Sequence, residues 1–130
     1  MPKRDTRDLA RVIATNAERD AIAVDRMGPD AELADAIVGL HAQQAAEKYL
    51  KAVLSFRGIT YRRVHSITYL LGVLEDHDVA PPPRASELEA FTPWAPQARY
   101  DHDADATLDR EAAVELVRGV RTWAEAQLRG

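Results

Sequence analysis

Residues 37–56 read Ile37-Val38-Gly39-Leu40-His41-Ala42-Gln43-Gln44-Ala45-Ala46-Glu47-Lys48-Tyr49-Leu50-Lys51-Ala52-Val53-Leu54-Ser55-Phe56. No proline interrupts the run, and its one glycine lies near the start. It therefore reads as a long helix, expected from about Asp30 to Phe56 and ending near Gly58. At 3.6 residues per turn, Leu33, Ile37 and Leu40 share a face that continues as Gln44, Glu47 and Lys51. Val38, Ala45, Tyr49, Val53 and Phe56 cover the other side. A helix apolar most of the way round is central in its fold or shared with a partner. A face that turns from apolar to polar along its length marks a mouth or crevice at the polar end.

Four further helices are expected around this one. The first runs from about Thr6 to Met27 and stops at Gly28-Pro29. Its apolar stripe is Leu9, Ile13, Ala17, Val24 and Met27, with Asp20 inside it. The third begins near His65 and carries Ile67, Leu70, Leu71 and Leu74. Pro81-Pro82-Pro83 is a stiff, non-helical connector. Ser86 and Glu89 have capping-box spacing, so a short fourth helix presenting Leu88, Phe91 and Trp94 is expected there, made irregular by Pro93 and Pro96. Arg99 to Ala106 is a polar loop. Thr107 is the expected cap of the last helix, which buries Ala113, Leu116, Val117, Val120, Ala124 and Leu128.

The expected fold is all-α, a four- to five-helix up-and-down bundle forming a single domain over 1–130. With 130 residues, 46% hydrophobic and 29% charged, the chain can bury a real core. It has no cysteine, which excludes disulfides, thiolate metal sites and a cysteine nucleophile. The net charge of −4 gives no overall field attracting nucleic acid, so binding RNA or DNA requires a local basic patch. Met1-Pro2-Lys3-Arg4-Asp5 has no apolar stretch behind it, and no apolar run approaches the roughly 20 residues that span a bilayer. A cytoplasmic location without membrane contact is expected.

The residues themselves now point to a family. His41-Ala42-Gln43-Gln44-Ala45-Ala46-Glu47-Lys48-Tyr49-Leu50-Lys51 resembles the HEPN signature H-x-x-Q-Q-x-x-E-K-x-L-K. Val64-His65-Ser66-Ile67, then Leu70-Leu71, is similar to the family's T-H-x-L-x-x-L-L, with Val64 in place of the usual capping Ser or Thr. Thr92-Pro93, then Ala98-Arg99-Tyr100-Asp101, is similar to its T-P and A-R-Y-D ending of the fourth helix. Asp20 resembles an acidic position common in the first helix. The resemblance spans about Leu9 to Leu128. It implies a helical bundle that commonly forms a homodimer through its long helices. It also implies a module that binds nucleotides or nucleic acid, and a nucleotidyltransferase partner chain in a toxin–antitoxin pair. Some members are metal-independent ribonucleases.

Ribonuclease members resemble one another in an Arg followed, after four to six residues, by a His. The histidine moves the proton of the ribose 2′-hydroxyl while the arginine stabilises charge on phosphate. None of the four histidines here has that spacing. The nearest imitation is Arg99-Tyr100-Asp101-His102, which makes Arg99 and His102 the candidate catalytic pair of an alternative ribonuclease reading. No Gly-Ser motif or strand-borne aspartates are present to make the chain itself a nucleotidyltransferase, so the expectation leans away from an enzyme.

Each candidate also has a plainer role. Asp20 orients a catalytic base, or is a buried carboxylate paired with Lys48 or Arg99. Gln44, Glu47, Lys48 and Lys51 form a phosphate- or RNA-facing cluster, or a polar network setting dimer register with a Glu47–Lys51 pair. His41 packs between helices or serves as a base. His65 stands in the first turn of its helix, bonded back to the second. Arg99, beside Tyr100, grips phosphate bidentately or pairs with Asp20 or Asp101. Asp101, Asp103 and Asp105 begin like a calcium loop, but Ala106 and Ala112 reject one, so no metal site is expected. No cofactor is expected either. Trp94, Phe91 and Trp123 stack on bases or fill the core. A purely structural interaction domain remains the third reading.

Overall fold

The structure, a computed structural model, describes residues 6–96 and 107–129. The described chain is all-helical: α1 (Thr6–Met27), α2 (Asp35–Phe56), α3 (Ile67–Asp76), a 3-10 helix (Ala85–Trp94) and α4 (Arg110–Gln127). There is no strand among the described residues. No helix among them is long and apolar enough to cross a membrane.

The sequence reason for the arrangement lies in α2. Its buried residues run on nearly every side from Val38 to Phe56. It packs against α1, α3, the 3-10 helix and α4, most extensively against α1. Ala10, Ala17 and Ala21 on α1 and Ala42, Ala45 and Ala46 on α2 are all buried. Small side chains let the two helix backbones approach closely. Tyr49, Leu50, Leu54, Leu70, Leu88 and Phe91 fill the space on the flanks, each 2% exposed or less.

Ends and connections follow local chemistry. Past α2, Gly58 takes φ +70°, and two backbone bonds (Gly58 N–H to Ser55 O, Ile59 N–H to Leu54 O) close a Schellman motif. Asp78, at φ 55°, closes α3 the same way through Val79 N–H to Leu74 O. Ser66 caps α3 by accepting from Tyr69 N–H, so the substitution of Val64 for a capping residue is made good two positions later. Gly39 is required by close approach: a Cβ there would lie 2.5 Å from Cγ of Trp94. The 3-10 helix thus ends with its tryptophan seated on α2.

Several expected boundaries are corrected. The second helix begins at Asp35, not Asp30: Asp30 turns the chain by accepting Glu32 N–H, and its carbonyl accepts Leu33 N–H. Leu9 is 39% exposed and so lies off the packed stripe, where Ala10 is buried instead. His65 precedes the capping Ser66 and is not in the first turn. The Ser86–Glu89 capping box does not form; Arg84 stands at the cap position, and Glu89 accepts from Thr68 Oγ1. Asp109, not Thr107, caps α4 by accepting Ala112 N–H. Leu128 is only partly buried, as the residue that closes the helix end.

Candidate functional site: a carboxylate ladder on α2

Two buried carboxylates organise the polar half of α2. Asp20, projecting from α1, accepts from His41 Nδ1 at 2.9 Å through one oxygen and from Lys48 Nζ at 2.8 Å through the other. Glu47, on α2 itself, accepts from Gln43 Nε2 at 3.0 Å, from Lys51 Nζ at 3.2 Å and from His65 Nδ1 at 3.1 Å. Gln44 Nε2 donates to Gln43 Oε1 at 2.7 Å, extending the Glu47 group along the helix. Each group therefore holds one carboxylate, one lysine and one histidine.

The helical repeat explains the assembly. His41, Gln44, Lys48 and Lys51 step by three and four residues along one strip of α2, while Gln43 and Glu47 lie four apart on the adjoining buried strip. α1 supplies Asp20 from one side, and the segment leading into α3 supplies His65 from the other. Isolated buried carboxylates are costly, and here every carboxylate oxygen has a partner. The side chain of Glu47 is only 3% exposed and that of Asp20 12%, so the lysine in each group supplies the compensating charge.

The histidines lie further out. The side chain of His41 is 35% exposed and that of His65 59%. A carboxylate accepting from Nδ1 fixes the proton there, so a neutral His41 ring carries its lone pair on Nε2. That atom has no hydrogen-bond partner among the described residues. The ring is thus oriented by a carboxylate, which is the arrangement of a proton acceptor or of a group accepting a hydrogen bond from a ligand.

Seven of the nominated polar residues (Asp20, His41, Gln44, Glu47, Lys48, Lys51 and His65) meet in this ladder. Asp20 pairs with Lys48, and the Glu47–Lys51 pair forms as its spacing suggests. Arg99, Tyr100, His102, Asp101, Asp103 and Asp105 lie outside the described residues. The chain reaches that segment from Trp94, packed on Gly39, and leaves it through Leu108, whose N–H donates to Asp35 Oδ2 at 3.1 Å. Both approaches rest on the first half of α2. Phe91 and Trp94 are buried, and Trp123 donates its ring N–H to Ala80 O, so these aromatic residues serve the core. No group of residues suited to a metal ion occurs among the described residues.

Two features escaped the sequence reading. Gln43, 1% exposed, bridges Gln44 to Glu47; its place four residues before Glu47 was the available signal. Arg110 was not singled out at all. Its guanidinium binds Asp35 Oδ1 at 2.8 Å and donates to the carbonyls of Met27, Gly28, Asp30 and Leu33. It thereby ties the start of α4 to the α1–α2 turn. The Arg110 guanidinium and the Leu108 N–H hold the Asp35 carboxyl below its ordinary range.

No curated protein and no solved structure gave a match to the chain. A family model, that of the HEPN domain, matches residues 10–127, nearly the whole chain and all of the ladder. By that match the chain belongs to the HEPN domain family.

Proposed function

We propose that the chain is a nucleotide- or RNA-binding module, working as a homodimer beside a separate nucleotidyltransferase in a two-component, toxin–antitoxin-like system. The observation that carries the binding reading is the pair of carboxylate–lysine–histidine groups on α2. Their charged cores are buried and internally compensated, while the two imidazoles stand at the surface. A core network needs no such outward histidines. Rings fixed by carboxylates offer a ligand directional contacts at little further ordering cost. Gln44, through its remaining amide oxygen, adds an acceptor beside them. The partner and the two-component setting rest on the family resemblance.

The test is calorimetric titration of the protein with ATP, ADP and a short single-stranded RNA, repeated with His41→Ala and Gln44→Ala. Measurable heat that weakens in both variants supports the reading. Absence of heat and of any thermal shift with every ligand would overturn it. Degradation of a mixed RNA pool in EDTA, lost in Arg99→Ala and His102→Ala, would replace the binding module by a metal-independent endoribonuclease.

A further inference from the structure

The ladder's lysines are matched one to one by its carboxylates, so the ladder offers phosphate little net positive charge. The charge that a nucleic acid backbone needs is found next to it. From Lys48 to Leu74 the chain contains no acidic residue, and beyond the two lysines already neutralised in the ladder it carries Arg57, Arg62 and Arg63. In a chain of net charge −4 this is a pronounced local excess.

The fold gathers the excess at one end of the bundle. Arg57 follows the last turn of α2 and donates to Gln127 on α4 at 2.6 Å. Arg62 and Arg63 lie on the exposed connector between α2 and α3. Arg84, Arg110, Arg118 and Arg121 all pair with carboxylates, whereas Arg57, Arg62 and Arg63 have no salt bridge among the described residues. Arg7 reaches the same end from α1, its guanidinium 4.6 Å from the centre of the Phe56 ring. Asp8, the acidic residue nearest there on α1, is held by Arg11.

Arg62 is also pre-positioned. Its guanidinium lies 4.8 Å from the centre of the Tyr69 ring, and its backbone N–H donates to the Tyr69 hydroxyl at 3.0 Å. The side chain is stacked yet exposed. A flat guanidinium on an aromatic support suits an unpaired base, and the neighbouring arginines suit the phosphates on either side. His65 continues the surface into the Glu47 group.

We infer that the connector bearing Arg57, Arg62 and Arg63 is a binding surface for the phosphodiester backbone of single-stranded nucleic acid, leading the strand toward His65 and the ladder. This deepens the proposed function and rests on it. Backbone binding by three arginines displaces counterions, so affinity falls with salt, each phosphate contact on a single strand adding about 0.7 to the slope of log affinity against log salt.

The experiment is fluorescence anisotropy of labelled dodecamers of uridylate and deoxythymidylate across a salt series. Arg62→Ala/Arg63→Ala is expected to bind about tenfold more weakly at moderate salt, with the slope lowered by about 1.4. Arg62→Lys/Arg63→Lys keeps the slope and loses part of the affinity, because charge survives and stacking does not. Arg84→Ala/Arg118→Ala removes the same net charge elsewhere and leaves binding unchanged. Thermal melts of each variant check folding. Equal binding by the first variant and wild type would overturn the surface while leaving the binding module intact. So would nucleotide binding without binding to either dodecamer. Binding of no nucleotide and neither strand would overturn both. Competition by polyglutamate as effective as by unlabelled strand would reassign the surface to acidic polypeptide, whereas comparable affinity for the two dodecamers marks the shared backbone as what is held.

Discussion

Glu47 carries the greatest structural burden of any single side chain in the ladder. Three donors converge on a carboxylate almost wholly removed from water, and they come from three different places: one turn back, one turn on, and the approach to α3. Removing the carboxylate strands Gln43 and leaves the Lys51 charge without its counterion. Glu47→Ala is therefore expected to cost about 3 kcal/mol of stability, the scale for breaking a buried, hydrogen-bonded ion pair. Glu47→Gln keeps the shape and one accepting oxygen but sets a donating NH2 where the other oxygen accepted, at a cost of about 2 kcal/mol. Urea unfolding measures both, and a loss below about 0.5 kcal/mol in Glu47→Ala would mean that the network is not holding the fold. Much of this was open to sequence reading, because Gln44, Glu47 and Lys51 stand out by spacing and Lys48 by the family signature. The burial of Glu47 was not, since it depends on how the α3 approach crosses α2. Gln43 shows the same limit: one residue from Gln44, it faces the interior, and only the packed structure distinguishes the two.

At the scale of the element, the turn between α1 and α2 is held from far along the chain. Asp35 begins α2, and Arg110 begins α4, 75 residues later. The long helices were legible from periodicity and terminators, but a contact this remote leaves no mark on local pattern. The expected start at Asp30 failed because Asp30 closes a turn of its own, whose carbonyls Arg110 then holds from across the fold. The contact has a signature in pH. The Asp35 carboxyl lies below its ordinary value of 3.8 because Arg110 first, and Leu108 second, bind its charged form. A depressed folded value means that the stabilisation is complete above the unfolded value and fades as pH falls through the folded one. Asp35→Asn is expected to be less stable than wild type by about 1–2 kcal/mol at pH 7, with the gap closing below about pH 4. Thermal melts at pH 7 and pH 3 test the sign; a gap that widens in acid would show that Asp35 is not the group involved. Tyr49 has the opposite dependence. Burial pushes its phenol up to about 12, so its contribution is intact below about pH 10 and is lost as pH rises through that value. Tyr49→Phe should flatten the alkaline limb of the melting profile.

For the whole molecule, the deciding quantity is how much apolar surface the outer faces of its two longest helices expose. Leu9, Val12 and Ile22 on α1 and Ile37 on α2 are 39% to 53% exposed. Singly, exposed aliphatic side chains are ordinary on a protein surface. All four, however, lie on the long helices through which the family resemblance implies pairing. A homodimer that covers Val12 and Ile37 would recover on the order of 1–2 kcal/mol from each. A lysine at either position would instead place a charge in the seam. In a monomer both sites face water, so Val12→Lys and Ile37→Lys should leave the isolated fold nearly as stable as before. Light scattering at micromolar concentration is expected to give twice the chain mass for wild type and the single chain mass for Val12→Lys/Ile37→Lys. The melting temperature of wild type should rise with protein concentration, and that of the variant should not, because only an associating protein couples folding to its own concentration. A wild-type protein of single chain mass would remove the homodimer from the proposed function. It would leave the ladder and the arginine connector as sites that one chain must use alone.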